Sequence, residues 1–310
     1  MSKTRNLGRR EFAVALTASP AMLPIAGLPV SASPAAISKR PIPASGELIP
    51  ILGMGTWITF NVGPSEQLRK ARAHVLQSFF DHGGAMVDSS PMYGSSEEVV
   101  GYCLKRVSGP DRLFSATKVR TPVDDHGVEQ METSERLWGE TPFDLLQVHN
   151  LLNWQTHLET LKSWKAEKRV RYIGITTSHG RRHGDFADLM RTQPLDFAQF
   201  TYNILDREAE DRLLPLAADQ RIAVIVNQPF RRGGAFEHVP GHPVPDWAAE
   251  FGADTWARFF LKFVLAHPAV TCAIPASSKV DDMVENMATA RGPMPDAAMR
   301  LRMINHIERL

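Results

Sequence analysis

Residues 85–94 read AMVDSSPMYG: a short apolar run that stops at Asp88, passes through Ser-Ser-Pro, and reaches Tyr93 before a glycine. Taken alone, this is a turn, because Asp, Ser and Pro all favour turns. The run before it recurs, however. Short apolar runs of the same kind lie at ILGMG, AMVD, LFSATK, FDLLQVH, YIGIT, FAQFT, AVIVN and VTCAIP, ending near residues 55, 88, 118, 149, 176, 201, 227 and 275. Between them lie segments with helical periodicity, including 65–81, 97–105, 128–138, 156–167, 208–219 and 280–290.

Most of the gaps between run ends are 25 to 33 residues; the last is 48, so the final connection is longer, around 233–247. Eight strand–helix units over about 250 residues give an α/β fold, a (β/α)8 TIM barrel. A hairpin turning at 44–46 precedes the first barrel strand as a cap, and 295–308 reads as one more helix. An open, doubly wound sheet is the competing architecture. It usually opens with a glycine-rich dinucleotide turn, whereas GMGTWI lacks a third glycine and starts no obvious helix.

In a barrel, the strand C-termini share one face, where active sites sit. Asp88, Lys118 and His149 end the second, third and fourth runs, spaced by 30 and 31 residues, one unit each. Such spacing gathers side chains from neighbouring strands, with Tyr93 just beyond the second. Each residue alone has a plain structural reading, as a solvated lysine or a rim histidine. Together they form a proton donor for a carbonyl. A phenol is a weak acid near pH 7. A nearby ammonium lowers its pKa, and a carboxylate keeps that ammonium charged. A neutral imidazole can orient the carbonyl oxygen and stabilise developing charge. Tyr93 is then the acid, Lys118 its tuner, Asp88 the anchor and His149 the orienter.

VDSSPMYG, SATKV and LLQVHN resemble the Asp, Tyr, Lys and His segments of the aldo-keto reductase family, in the family's order. LGMGTW resembles its first strand, and RYIGITTS, DFAQFTYN and AIPASSKVDDMVEN its fifth, sixth and eighth strand regions. The likeness runs from about residue 39 to 290. It implies a hairpin-capped barrel that reduces an aldehyde or ketone to an alcohol with NAD(P)H, without metal or flavin. It also implies cofactor contacts. Gln199 matches the glutamine that bonds the nicotinamide carboxamide, and Thr56 follows the first strand. Thr176 and Thr177 replace a Ser-Asn pair, so Thr176 keeps a hydroxyl but Thr177 offers no amide. Asn227 falls where an aromatic ring normally stacks on nicotinamide. In QPFRRGG, Arg231 and Arg232 could clamp pyrophosphate, or could simply form a solvated basic loop. Ser277 and Ser278 could cap the next helix, whose N-terminus suits phosphate, with Lys279 within reach of a 2′-phosphate. Ala276 and Asp282 occupy the family's usual lysine and arginine positions. Glu285 and Asn286 match its adenine contacts. The resemblance puts NADP(H) ahead of NAD(H), while Asp282 leaves NAD(H) open. For substrate, Trp57 would line the mouth or else pack on the hairpin, and Asn150 could add a polar contact.

The N-terminus differs in kind. Arg9-Arg10 followed by Phe12, a weakly apolar Ala/Leu/Pro stretch and VSA resemble a twin-arginine (Tat) signal peptide. Cleavage near Ala32, export to the periplasm through the Tat machinery, a linker at 33–38 and a barrel domain at 39–310 follow as expectations. A disordered basic tail is the alternative. Pro20, Pro24 and Pro29 argue against a membrane-spanning helix. The 310 residues carry 43% hydrophobic content and a formal charge of +1, with no basic excess to suggest nucleic acid. Cys103 and Cys272 read as buried thiols, and no Cys/His spacing suggests a metal. A monomer acting on a small carbonyl compound is the expected form. A nucleotide-binding regulatory barrel with little or no turnover is the main alternative, favoured by Asn227 and Thr177. A metal-dependent barrel hydrolase ranks last.

Overall fold

The computed structural model describes residues 36–139, 142–178, 180 and 182–310; the expected signal segment 1–32 and residues 33–35 of the expected linker lie outside the described residues. Two short strands, β1 (Lys39–Pro41) and β2 (Leu48–Pro50), form an antiparallel hairpin. Eight parallel strands follow: β3 (Met54–Gly55), β4 (Met86–Asp88), β5 (Phe114–Val119), β6 (Phe143–His149), β7 (Val170–Thr176), β8 (Phe197–Thr201), β9 (Ala223–Asn227) and β10 (Cys272–Ala273). They pair in sequence order. Parallel bridges Leu52↔Ala273 and Gly55↔Ala276 join the two ends, so the sheet closes into the expected (β/α)8 barrel. Crossing so close to β10 requires a glycine at the end of β3. A Cβ at Gly55 would lie 2.9 Å from the Ile274 carbonyl oxygen, too close for any side chain.

Between the strands run α1 (Glu66–Asp81), α2 (Ser96–Leu104), α3 (His126–Trp138), α4 (Trp154–Ala166), α5 (His183–Thr192), α6 (Leu213–Gln220), α7 (Trp256–Leu265) and α8 (Val280–Thr289), with α9 (Ala297–Ile307) at the C-terminus. The segment expected as one helix at 208–219 is a 3-10 turn, Glu208–Glu210, followed by α6. Pro215 explains the break: it lacks an N–H and clashes with the preceding turn, so α6 can begin only just before it. The long last connection is irregular, with three 3-10 turns before α7. Among the described residues, no helix is long and apolar enough to cross a membrane.

Period two within each strand builds the interior. Met86, Phe114 and Ala116, Leu145, Tyr172, Phe197, Ala223 and Ile225, and Cys272 form one apolar cluster inside the barrel, joined by Ile42 and Ile49 of the hairpin. The alternate strand residues point outward and join the helices in a second, larger cluster. The same alternation sets what lies above the apolar column. Asp88 follows Met86, Lys118 follows Ala116, Gln147 and His149 follow Leu145, Gln199 follows Phe197, and Asn227 follows Ile225. A polar layer therefore caps the core at the strands' C-terminal ends.

Candidate active site

Asp88 and Lys118 are both buried, and the Lys118 Nζ donates to Asp88 Oδ2 at 2.5 Å and to the Ser89 carbonyl at 2.6 Å. The other carboxylate oxygen, Asp88 Oδ1, accepts from Gln147 Nε2 at 3.3 Å and Gln199 Nε2 at 3.1 Å. A buried carboxylate keeps its charge only when its oxygens are engaged in this way. Burial opposes the Lys118 charge, but Asp88 foremost, with Tyr93 and Glu97, outweighs it, so the ammonium stays above its ordinary range.

The half-buried Tyr93 ring lies 5.4 Å from Lys118 Nζ, measured to the ring centroid. It meets the His149 ring edge-on at 5.9 Å between centroids. The Tyr93 pKa moves opposite to the sequence expectation. Burial pushes the phenol up; Lys118 pulls it down and Asp88 pushes it up again, and the upward effects win. Burial is the largest cause, and Asp88, paired with Lys118 at 2.5 Å, offsets part of the ammonium's downward pull on the phenol. His149 is buried, and its Nδ1 lies 2.9 Å from Ser90 Oγ.

Asp88, Tyr93, His149 and Gln199 border one cavity of about 730 Å³ at the C-terminal end of the barrel, and Lys118 reaches it only through its pairing with Asp88. Asp88, Tyr93 and His149 line it, together with the expected Thr56, Trp57, Asn150, Thr176, Gln199, Asn227, Arg232, Glu285 and Asn286. The structure therefore brings most of the predicted set into one space, and it also shows what several members are doing. The Thr56 hydroxyl bonds Asp88 O and Ser89 Oγ. The Asn227 amide donates to Thr177 O at 2.9 Å and its oxygen accepts from Thr201 Oγ1 at 2.8 Å. Gln199 uses its amide nitrogen on Asp88, so its oxygen is the group left to receive a carboxamide N–H. Arg232 lies over Trp57, 4.5 Å to the ring centroid, so the loops after β3 and β9 meet across the mouth.

Four predicted positions fall outside the main cavity's lining: Lys118, bonded to Asp88, and Arg231, Lys279 and Ser277. Arg231 pairs with Asp206 at 3.3 Å and lines a side cleft of about 460 Å³. Lys279 is exposed at the N-cap of α8. Ser277 does not cap that helix; its hydroxyl bonds the backbone of Lys279 instead, because Lys279 itself holds the N-cap position. Reading the sequence missed Gln147 and Ser90. Gln147 sits two residues before His149, on the same strand face, and strict alternation would have found it. Ser90 sits in a turn and carries no periodic signal. Met92, Phe230 and Phe236 also line the cavity and make part of its wall apolar.

The sequence pattern of the Aldo/keto reductase family matches residues 51–301. The chain belongs to this family. The aldo-keto reductase YhdN of Bacillus subtilis is 26% identical over 197 residues, which cover 59% of this chain and 59% of that protein. The chain thus spans less than two thirds of that relative's length. The NADH-specific methylglyoxal reductase of Escherichia coli is 25% identical over 235 residues, 64% of this chain and 68% of that protein. An aldo-keto reductase of Klebsiella pneumoniae, solved in complex with NADPH, shares the fold with a TM-score of 0.70 at 23% identity; the match covers 84% of this chain and 92% of that one. For this aldo/keto reductase, the cavity's donor set suits a dinucleotide. Amide and hydroxyl groups from Thr176, Gln199 and Asn286 line it together with one guanidinium, that of Arg232.

Proposed function

We propose that this aldo/keto reductase reduces an aldehyde or ketone to the alcohol, using NAD(P)H. The observation that carries this reading is a phenol and an imidazole lining one cavity with Gln199 and Asp88, the last of which holds a charge-balanced ammonium. When bound, NAD(P)H supplies the hydride to the carbonyl carbon. Tyr93 gives its phenolic proton to the carbonyl oxygen, and the resulting phenolate faces Lys118, which Asp88 holds charged. His149 directs the oxygen toward Tyr93 and stabilises negative charge as it builds there. Solvent then returns the proton to Tyr93, and in the oxidative direction the phenolate serves as the base. Asp88 and the two glutamines hold the ammonium in place and add no proton of their own.

Tyr93→Phe keeps the ring and deletes the acid. On a panel of aldehydes, kcat should fall about 10²–10⁴-fold, in keeping with loss of a general acid, while dinucleotide binding persists. An equally active variant removes Tyr93 from the mechanism. Wild-type protein without turnover on any aldehyde, but with tight dinucleotide binding, supports the second reading, a nucleotide-binding regulatory barrel. The observation behind that reading is that Asn227, where the family resemblance places a stacking ring, is tied to Thr177 and Thr201.

NADP(H) stands ahead of NAD(H) on the family resemblance, supported by the NADPH-bound Klebsiella protein. Asp282 and Glu285 line the cavity and oppose a 2′-phosphate, and the Escherichia coli relative is NADH-specific. Fluorescence titration with each cofactor decides between them: tighter NADPH binding supports the proposal, and tighter NADH binding reverses it. Export by the Tat route, with cleavage near Ala32, a periplasmic site of action and a monomeric form, rests on the sequence of residues 1–32 and the barrel's self-sufficiency. Cell fractionation tests the export: the mature form should appear in the periplasm, and a doubly substituted Arg9→Lys, Arg10→Lys chain should not. An exported reductase would need to retain its cofactor, so nucleotide should co-purify with the periplasmic form.

A further inference from the structure

Gln147 stands on β6 beside Lys118 of β5, its register partner, and two residues before His149. Its side chain is fully buried and does not line the cavity, so it meets neither substrate nor cofactor. Its amide nitrogen donates to Asp88 Oδ1 at 3.3 Å, while its Oε1, also buried, has no hydrogen-bond partner among the described residues. The amide cannot turn the other way, because two acceptor oxygens would then face each other. A buried acceptor without a donor costs stability. Leucine, of similar volume, would carry no such oxygen, and Asp88 Oδ1 would still have Gln199. Fold stability therefore does not call for glutamine here, and a residue that breaks a packing rule in this way marks a functional demand.

We infer that Gln147 is a positioning residue that keeps Asp88 from taking more than one of the Lys118 hydrogens. An ammonium has three hydrogens. One goes to Asp88 Oδ2 and one to the Ser89 carbonyl, which leaves the third for Tyr93, on which Lys118 acts by a side-chain hydrogen bond as well as by charge. A carboxylate has two oxygens and would accept two of the three hydrogens if both faced the ammonium. Gln147 and Gln199 hold Oδ1 from β6 and β8, so only Oδ2 is given to Lys118. With the Gln147 amide gone, a single amide remains, and the carboxylate can swing Oδ1 toward the ammonium. The third hydrogen is then drawn off the phenol oxygen, where it is needed as the phenolate forms. Gln199 shares the task but also lines the cavity, so Gln147 is the residue through which the effect is isolated.

The role in turnover rests on the reductase reading; the hold on Asp88 does not. In Gln147→Leu, kcat for aldehyde reduction should fall about tenfold, the effect of one misplaced hydrogen bond in the transition state. KM and dinucleotide affinity should stay within about twofold of wild type, and the unfolding temperature should not fall. Gln147→Glu adds a readout that packing alone would not move. When protonated, the new carboxyl can donate to Asp88 Oδ1 as the amide does; when ionised, it repels Asp88 and has no hydrogen to give. Its reductive kcat should therefore be highest at low pH and fall as pH rises, a limb that wild type and Gln147→Leu lack. The titratable and charged groups that face the Asp88–Lys118 pair and Tyr93 are Glu97, His149, Arg232 and Cys272. All are present in wild type, so only the added limb counts. In the full chain labelled with ¹⁵N-lysine, Lys118→Met assigns the Lys118 signal. That signal should move in Gln147→Leu, and in Gln147→Glu it should follow the same pH midpoint as kcat. Unchanged kcat or an unmoved Lys118 signal in Gln147→Leu, a level Gln147→Glu profile, or a kcat loss matched by a lower unfolding temperature overturns the inference. A wild type that reduces no aldehyde sinks the reductase reading instead, and the Lys118 signals then decide this inference by themselves.

Discussion

Asp88 is a carboxylate at the top of a barrel core, where an unpaired charge would cost several kcal/mol. Both of its oxygens are engaged, one by Lys118 and one by two glutamine amides. The same pairing limits how much Lys118 can acidify Tyr93, and burial keeps the phenol above its ordinary value. The sign follows directly. A raised pKa means that the proton stays on to higher pH, so the acid form needed for reduction is full at neutral pH and is lost only above about pH 10. The kcat/KM for reduction should therefore be level between about pH 6 and 9 as far as this group is concerned, while the reverse oxidation should rise with pH. A fall in the reductive profile below pH 9 that disappears in Tyr93→Phe would contradict that assignment. Asp88, Lys118 and His149 were legible in the sequence because strand alternation and unit spacing are linear patterns. The direction of the Tyr93 shift was not legible. It depends on how closely Asp88 approaches Lys118 and how far the ring is buried, and spacing encodes neither.

At the scale of elements, the site is held from behind by Glu97, in the first turn of α2. Its buried carboxylate accepts from Thr117 Oγ1 of β5 at 2.6 Å, and from Ser134 Oγ and Trp138 Nε1 of α3 at 2.9 and 3.3 Å. Thr117 is the outward neighbour of Lys118, so this cluster ties the lysine's strand to two helices. Burial pushes the Glu97 carboxyl up, while its three donors hold it down, and burial wins. Glu97→Ala leaves three donors without their acceptor. It should destabilise the fold by about 2–4 kcal/mol in urea unfolding, more than an ordinary surface change. A loss below about 0.5 kcal/mol would mean that water replaces the carboxylate. The helix beginning near 97 was legible from its periodicity. The inward turn of its carboxylate was not, because its partners come from 20, 37 and 41 residues further along the chain. The break at Pro215 could have been read, since a proline deep in a helical segment marks its start.

The whole molecule divides its labour along the barrel axis. Polar side chains gather at the strands' C-terminal ends, while the hairpin closes the other end with Ile42 and Ile49, buried against Phe114, Tyr172 and Phe197. Tyr172 and the hairpin are also joined through its hydroxyl, which donates to Glu47 Oε2 and lies within hydrogen-bond distance of Ser45 Oγ, both at 2.7 Å. Arg40 ties the hairpin to the C-terminal end of α7, donating to the carbonyls of Leu265 at 2.7 Å and His267 at 2.9 Å. In a barrel of this kind, chemistry belongs to the C-terminal face and stability to the opposite one. Ile42→Ala removes buried methyl groups from the closed end without touching the cavity. It should cost about 2–5 kcal/mol of stability, the range for deleting a core isoleucine, while kcat/KM stays within about twofold of wild type, because no strand end moves. Urea unfolding and aldehyde kinetics on the same preparation measure both. If kcat/KM fell in step with stability, the hairpin would be shaping the site through the strands, and the two ends of the barrel could not be treated as independent.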